Sequence, residues 1–424
     1  MQCMDKFGWC IAPDPSKHPL NDLHAGNYDC GRKLYSRALI RRDLSPSDLF
    51  TQVREHLPAW DYDDVRAFLE DLEQTAQNDS DHDRAISVLT LLMDRHYPLG
   101  SMKRSCLLAL LDQSFARLVE RIHKAPSRRY IWVGAGGELP TPGNGDETLI
   151  LDARGYPPEG PESLARAIVA LYQCGFCRFI VANACGQRFI GCGLGPVSSD
   201  VRIEVYGAAG DYLASGIDGA EVIVHGSGQD QLAQIMKAGR LVVYGDVGQT
   251  FMYAAKGGQA FILGNAAGRP LINAVGKPRV VINGTCLDYL AESFMAGDPL
   301  NGGGFVIVNG IRFDEDGTVC ELDTPYLGGN LFSLASGGAI YIRDPRYRLV
   351  NDQLNGGEFS PLTVEDWDLI RPSLEENESI FGIPISRLLT VEGTQRTPAH
   401  VYRKIRPAGH KALMPEEAWV KRRA

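Results

Sequence analysis

The sequence predicts a mainly β protein built on a parallel β-helix, with a helical region before it and a helical cap after it. Three observations carry this. First, five segments end alike, in an aliphatic run, one further residue and a glycine: Ile203-Glu-Val-Tyr-Gly207, Val222-Ile-Val-His-Gly226, Leu241-Val-Val-Tyr-Gly245, Ala260-Phe-Ile-Leu-Gly264 and Val280-Val-Ile-Asn-Gly284. Their glycines lie 19, 19, 19 and 20 residues apart, and a sixth copy, Val306-Ile-Val-Asn-Gly310, follows a longer gap. Gly329 keeps the step but lacks the strand before it. Second, the positions two and four before each glycine are apolar in every copy. They alternate with mixed positions such as Tyr206, His225, Tyr244, Asn283 and Asn309, the period-two mark of a strand with one face buried. Third, Leu213, Leu232, Phe251 and Leu290 form another apolar column six residues after the glycine, interrupted by Pro270.

Fixed-period self-similarity means one small unit stacked on itself. A unit of this length is too short for a strand-helix pair and fits one turn of a coil of short strands. Turns stacked at roughly 4.8 Å, six or seven in number, make a rod about 30 Å long. Glycines before most strands (Gly219, Gly239, Gly258, Gly276, Gly304 and Gly338) suit corners that need positive φ. A dinucleotide-binding reading of Gly134-Ala-Gly-Gly137 or Gly207-Ala-Ala-Gly210 competes, but neither has the full fingerprint with its acidic residue.

The chain of 424 residues has room for two or three domains. A formal charge of −9 argues against a nucleic-acid partner. No run approaches the roughly 20 apolar residues of a membrane span. The first residues lack the apolar core of a secretory signal, and ten cysteines without a dense framework read as reduced thiols, so a cytoplasmic location is expected.

Along the chain, residues 1–130 read as a helical N-terminal domain, with apolar faces on 61–76, 80–96 and 105–123. Residues 131–199 are a linker, richest in Gly and Pro over 134–147, and a β-α-β lead-in: strand 148–152, helix 161–173, strand 178–183, with 187–192 entering the coil. The glycine repeats occupy 200–344, and 345–424 form the C-terminal cap and tail. There a short helix over 363–370 is stopped by Pro372, a second begins near Pro384, and both are expected to close the open end of the coil.

Gly207-Ala-Ala-Gly-Asp-Tyr-Leu-Ala-Ser-Gly-Ile-Asp-Gly219, Gly257-Gly-Gln-Ala and Ser336-Gly-Gly-Ala-Ile-Tyr carry a family likeness, supported by Gly186-Gln-Arg-Phe-Ile-Gly191 and Arg371-Pro-Ser-Leu-Glu-Glu-Asn-Glu378. From about 148 to 405 the chain resembles the C-terminal glycine-repeat (GXGXG) domain of the glutamate synthase large subunit. It is also similar to the third subunit of formylmethanofuran dehydrogenase. The resemblance implies a right-handed β-helix with a structural, non-catalytic role in glutamate biosynthesis. It places FMN and iron–sulfur clusters on partner subunits, one amidotransferase-like and one flavin/iron–sulfur synthase-like. The amidotransferase half needs a processed N-terminal cysteine, whereas here Gln2 precedes Cys3 and disfavours methionine removal. Residues 1–130 match nothing, and deleting 1–125 is expected to remove a docking surface while the coil still folds.

No catalytic, cofactor-binding or metal residue is assigned. Cys174, Cys177, Cys185 and Cys192 are the strongest candidate metal ligands, but their elements do not imply convergence, and cysteine also serves as a small apolar filler. An autonomous enzyme using a Cys-bound metal is therefore the alternative from another class. Cys3, Cys10 and Cys30 lack tight spacing. His18 and His24 beside Asp22 read as a solvated loop. Asp211, Asp230, Asp246 and Asp288 follow the turn glycines and read as turn caps; the rival is a polysaccharide-cleaving coil, an enzyme class that is mostly secreted. His225 and Tyr244 are expected to pack against a neighbouring domain, and Arg188, in the lead-in strand, to form an ion pair.

Overall fold

The computed structural model of the chain describes residues 39–40, 43–137, 139–143 and 145–409. Among the described residues, the N-terminal region holds helices α1 (Pro46–His56), α2 (Tyr62–Thr75), α3 (Asp79–Asp94) and α4 (Arg104–Lys124). Asp61 caps α2 in a reciprocal box with Asp64, and the Asn78 side chain accepts from Asp81 N–H at the start of α3. Capping thus sets the starts of two helices expected from periodicity, and α1 is an additional one. Their apolar faces meet in one cluster that includes Val65, Phe68, Leu89, Leu111 and Phe115.

Strands β1 (Tyr130–Val133), β2 (Thr148–Asp152) and β3 (Arg178–Cys185) follow, with helix α5 (Leu164–Gln173) between the last two. β1, not foreseen, pairs parallel to β2. The repeat strands are β4 (Arg202–Ala208), β5 (Asp218–His225), β6 (Ala238–Val243), β7 (Gln259–Ile262), β8 (Arg279–Ile282), β9 (Phe305–Val308) and β12 (Ala339–Arg343). A hairpin, β10 (Ile311–Phe313) and β11 (Val319–Glu321), lies between β9 and β12. The C-terminal region holds β13 (Gly357–Ser360), α6 (Val364–Phe381), α7 (Ile385–Leu388), a small pair β14 (Thr390–Val391) and β15 (Thr394–Gln395), α8 (Pro398–Val401) and β16 (Tyr402–Pro407). One mixed sheet of 12 strands runs β1-β2-β3-β4-β5-β6-β7-β8-β9-β12-β16-β13. It is parallel through β12, then antiparallel.

Register follows the repeat. Val205, Val224, Val243, Ile262, Ile282, Val308 and Ile342 pair in succession and are fully buried, as are Ile203, Val222, Leu241, Ala260, Val280, Val306 and Ile340. The second column also survives. Leu213, Leu232, Phe251, Leu290 and Leu331 are buried, and Pro270 is buried in line with them. Proline is accommodated because its neighbours carry the bonds between turns: Arg269 N–H to Asp288 O at 2.8 Å and Leu271 N–H to Phe251 O at 2.7 Å.

Those bonds have a backbone cost. On this side residues alternate into the left-handed region at φ near +50 to +60°, including the β-branched Thr250 and Ile235, a conformation disfavoured by roughly 1–2 kcal/mol for a side-chain-bearing residue. Two repeats on, Asn273 occupies the Ile235 position with the same φ, and Asn tolerates it. Ile235 is also 41% exposed. Ile235→Asn is therefore expected to stabilise the fold by about 1 kcal/mol, read as a raised urea midpoint.

Three expectations are corrected. The sheet is buried on both faces: Ile223, Val242, Phe261, Val281, Ile307 and Tyr341 on the far side pack with α6, because those positions are themselves apolar. Helix α6 runs through Pro372 rather than stopping there. The ring removes one backbone bond, but buried Ile370, Leu374, Asn377 and Phe381 seat the helix on the sheet. Finally, α6 lies on the sheet face. What continues past β12 is β16 and then β13, which supply the backbone partners that an open edge lacks. At the other end Leu164, Ile168 and Leu171 of α5 join the interior cluster of the repeats. Among the described residues no helix is long and apolar enough to cross a membrane.

Candidate functional site

The position one before each glycine has mixed chemistry, and here the structure gathers its polar groups. Tyr206, His225 and Tyr244 stack, with centroids 4.3 and 5.5 Å apart. Phe115 of α4 closes one end at 3.9 Å, and Phe381 of α6 meets the other edge-on at 5.1 Å. Repeat spacing places the three repeat rings on adjacent strands, and helices from both flanks complete the row.

Asp94, the last residue of α3, faces His225 with 2.9 Å between Oδ2 and Nδ1, both side chains buried. On the other side of the ring, Glu204 Oε2 lies 3.7 Å from Nε2. Glu204 also meets Arg202 Nε at 2.7 Å and accepts from Tyr206 OH at 3.2 Å, while Thr90 and Tyr206 share a hydroxyl contact of 2.8 Å. Arg202 reaches Glu221 at 2.5 Å, and Arg240 joins Glu221 at 3.4 Å and also pairs with Glu376 of α6. Burial alone would lower the His225 pKa, but Asp94 and Glu204 raise it to about 9. Burial would likewise raise Glu204, yet His225 and Arg202 hold it down to about 2. A protonated His225 facing an ionised Glu204 fits these directions, while burial acts the other way on Asp94 and raises its carboxyl pKa.

A cavity of about 550 Å³ opens beside Glu204, lined by Asp83, Arg129, Tyr130, Arg178 and Arg202 among others. Its charges are paired: Arg129 with Asp83 at 3.0 Å, Arg178 with Asp146 at 3.8 Å, and Arg202 as above. Tyr130 OH donates to Asp83, and burial followed by that carboxylate pushes its pKa upward. General acid–base catalysis needs a group titrating near the working pH and within reach of substrate. His225 is enclosed and Glu204 stays ionised, and the network ties α3 to the repeat strands.

The four candidate thiols have separate surroundings. Cys174 caps α5 and is exposed, and Cys185 is exposed at the end of β3. Cys177 donates to Asp200 at 3.0 Å, and Cys192 to Tyr212 O at 3.0 Å. Burial and then Asp200 push Cys177 up to about 11, and burial pushes Cys192 up to about 12. Without a cation beside them, both thiols favour the protonated form. Among the described residues no group of three or more His, Cys, Asp or Glu is arranged to hold a metal ion. Cys3, Cys10, Cys30, His18, Asp22 and His24 lie outside the described residues.

The turn carboxylates do cap backbone, but that of the next turn rather than their own. Asp211 accepts from Asp230 N–H at 3.1 Å, Asp230 from Gln249 N–H at 2.7 Å, Asp246 from Asn265 N–H at 2.7 Å, and Asp288 from Gly329 N–H at 2.6 Å. Arg188 pairs with Glu159 and with Asp211 at 3.4 Å, from a turn rather than a strand. Asn283 and Asn309, buried in the mixed column, hold the C-terminal layer: Asn283 donates to Asn377 at 2.9 Å, Asn309 to Asn283 at 2.8 Å, and Tyr402 to Asn309 at 2.8 Å. Sequence reading missed Asp94, Glu204 and Asn377. Glu204 carried a usable signal, as the charged member of a column that is otherwise apolar.

No curated protein matches the chain. A family model described as GXGXG motif matches residues 176–382, from the strand before the first repeat to the end of α6. That span contains the stacked glycines, the carboxylate ladder and the ring row except Phe115. Over residues 176–382 the chain matches the GXGXG motif family, consistent with the glycine-repeat domain of glutamate synthase.

Proposed function

We propose that the chain is a non-catalytic structural subunit of a cytoplasmic glutamate-synthase-like oxidoreductase complex, folded as a right-handed parallel β-helix. Its role is to space or dock an amidotransferase-like and a flavin/iron–sulfur partner. The GXGXG match over residues 176–382 carries this reading. The coil is supported by parallel strands in repeat register and by N–H groups that reach oxygens one turn on, as from Gln231 to Gln249 O at 2.8 Å. The absence of a role in chemistry is supported by side chains already engaged: His225 is enclosed by two carboxylates, and Cys177 and Cys192 are held protonated. FMN and iron–sulfur clusters belong on the partners under this reading, since the thiols described here do not form a ligand set.

Docking by the N-terminal helices is part of the proposal, but deletion of 1–125 is a poor test of it. Removal would strip His225 of Asp94 and uncover Ile150, Ile180 and Tyr206, which are buried with those helices. The direct test is capture of the tagged chain from native lysate, with flavin and iron measured on the eluate and on the isolated chain. A flavin, iron–sulfur protein in the eluate and a bare isolated chain are expected. Recovery as a lone chain under gentle conditions would sink the proposal. A molybdenum or tungsten partner would replace it with a formylmethanofuran-dehydrogenase-like scaffold.

A further inference from the structure

A second cavity, of about 430 Å³, lies where four segments converge: the last turns of α1, the residues after α3, the β10–β11 hairpin and the α6–α7 corner. Its lining includes three guanidinium groups, Arg54, Arg95 and Arg387, and no carboxylate. This differs from the cavity beside Glu204, whose arginines are all paired.

The three arginines are only partly used by the fold. Arg95 Nη2 donates to Ser379 O at 3.2 Å near the end of α6, while its Nη1 is buried without a hydrogen-bond partner. Arg387 places Nε and Nη2 on Val319 O, at 3.2 and 2.8 Å. Arg54 lies over the Phe50 ring at 5.8 Å. Acidic groups on the same segments make their hydrogen bonds elsewhere: Asp94 faces His225 and feels Arg95 only through space, Glu378 accepts from Ile385 N–H at 3.0 Å, and Asp314 accepts from the hairpin backbone at Thr318. A buried guanidinium donor with no acceptor is costly, and its natural partner is a planar or tetrahedral oxyanion.

The rest of the lining is apolar and flat. His96 stacks on Phe313 at 3.9 Å with 4° between the planes, and Phe50, Val319, Phe381 and Pro384 complete the wall. Burial, with Arg104 adding to it, pushes His96 down to about 3, so this ring is neutral and adds no charge. The volume falls within the usual range of small-ligand sites, about 300–1,000 Å³.

We propose that this cavity binds a small organic anion, a carboxylate or phosphate group carried on a flat apolar body, with Arg95 and Arg54 on the oxyanion and the His96–Phe313 pair against the body. The inference is independent of the scaffold reading. It is tested by isothermal titration of the full chain with phenyl phosphate, benzoate, inorganic phosphate and phenol. Phenyl phosphate or benzoate is expected to bind saturably, and about tenfold more tightly than inorganic phosphate or phenol, because only these probes supply both halves. Arg54→Gln, a change at an exposed side chain, is expected to weaken that binding by about tenfold, and Arg95→Gln by at least as much. Arg371→Gln, at an exposed helix ion pair, should leave it unchanged. If Arg95→Gln fails to fold, Arg54→Gln and a blocking Thr318→Trp still decide the question. No saturable binding of either aromatic anion, binding equal to that of inorganic phosphate, or unchanged affinity in Arg54→Gln would each overturn the proposal.

Discussion

Asp94→Ala is expected to lower the unfolding free energy by about 3–5 kcal/mol, the usual cost of breaking a buried ion pair by removing one partner. His225 would keep Glu204 at 3.7 Å but lose its 2.9 Å carboxylate, in a site closed by Tyr206, Tyr244 and helices from both flanks. The same pair sets a pH dependence. The folded His225 pKa lies at about 9, above the ordinary 6.5. Its stabilisation is therefore fully present below pH 6.5 and is lost as pH rises through about 9. Glu204 works in the opposite direction: held down to about 2 from 4.5, it stabilises above pH 4.5 and loses that contribution as pH falls through about 2. Urea unfolding of the native chain should thus weaken from pH 6.5 to 9. Asp94→Ala should be less stable with a shallower slope over that interval, and an unchanged slope would refute the assignment of His225 as the titrating group.

Gly226→Ala is expected to cost about 1–3 kcal/mol, the penalty of overpacking a close-packed site, although the substitution adds a single methyl group. Gly226 has no positive φ to explain its glycine. Instead, a Cβ there would fall on Gly207 O, with Gly207 C at 3.1 Å; the equivalent atoms at Gly245, Gly264 and Gly284 would lie 2.7–2.8 Å from the preceding glycine's oxygen. The column is glycine because successive repeats touch through their backbones, and the ladder itself is visible in Gly264 N–H to Gly245 O at 3.0 Å and Gly284 N–H to Gly264 O at 2.9 Å. The column before the strands has a different origin. Gly219 has φ +132°, and the positive-φ argument holds there. Parallel denaturation of Gly226→Ala and a Gln249→Ala surface control would measure the difference. Equal midpoints would remove the close-approach explanation.

The repeat was legible because both of its causes are local and periodic. Alternation buries Val205, Val224 and Val243 in one line, and the glycine spacing reports the length of one repeat. Pro270 looked like an interruption because a sequence pattern does not say which backbone groups carry the bonds between turns. Pro372 looked like a stop because propensity competes with the packing of Ile370, Leu374 and Phe381, which becomes visible only once α6 lies on the sheet. The far column of Ile223, Val242, Phe261, Val281 and Ile307 is apolar in the sequence, yet period-two alternation by itself points to only one buried face.

The site divides in the same way. The row of Tyr206, His225 and Tyr244 lies on repeat spacing, and a neighbouring packed layer was a reasonable inference from it. Asp94 stands 131 positions before His225, and Asn377 stands 94 after Asn283. By itself, then, the amino-acid sequence determined the period, the inward columns and the strand register, since these depend on residues one turn apart. Tertiary structure alone decided which charges are buried together, which arginines lack partners and which faces the helices cover. Those outcomes depend on contacts between distant segments, where burial and electrostatic pairing act through space and leave no period along the chain.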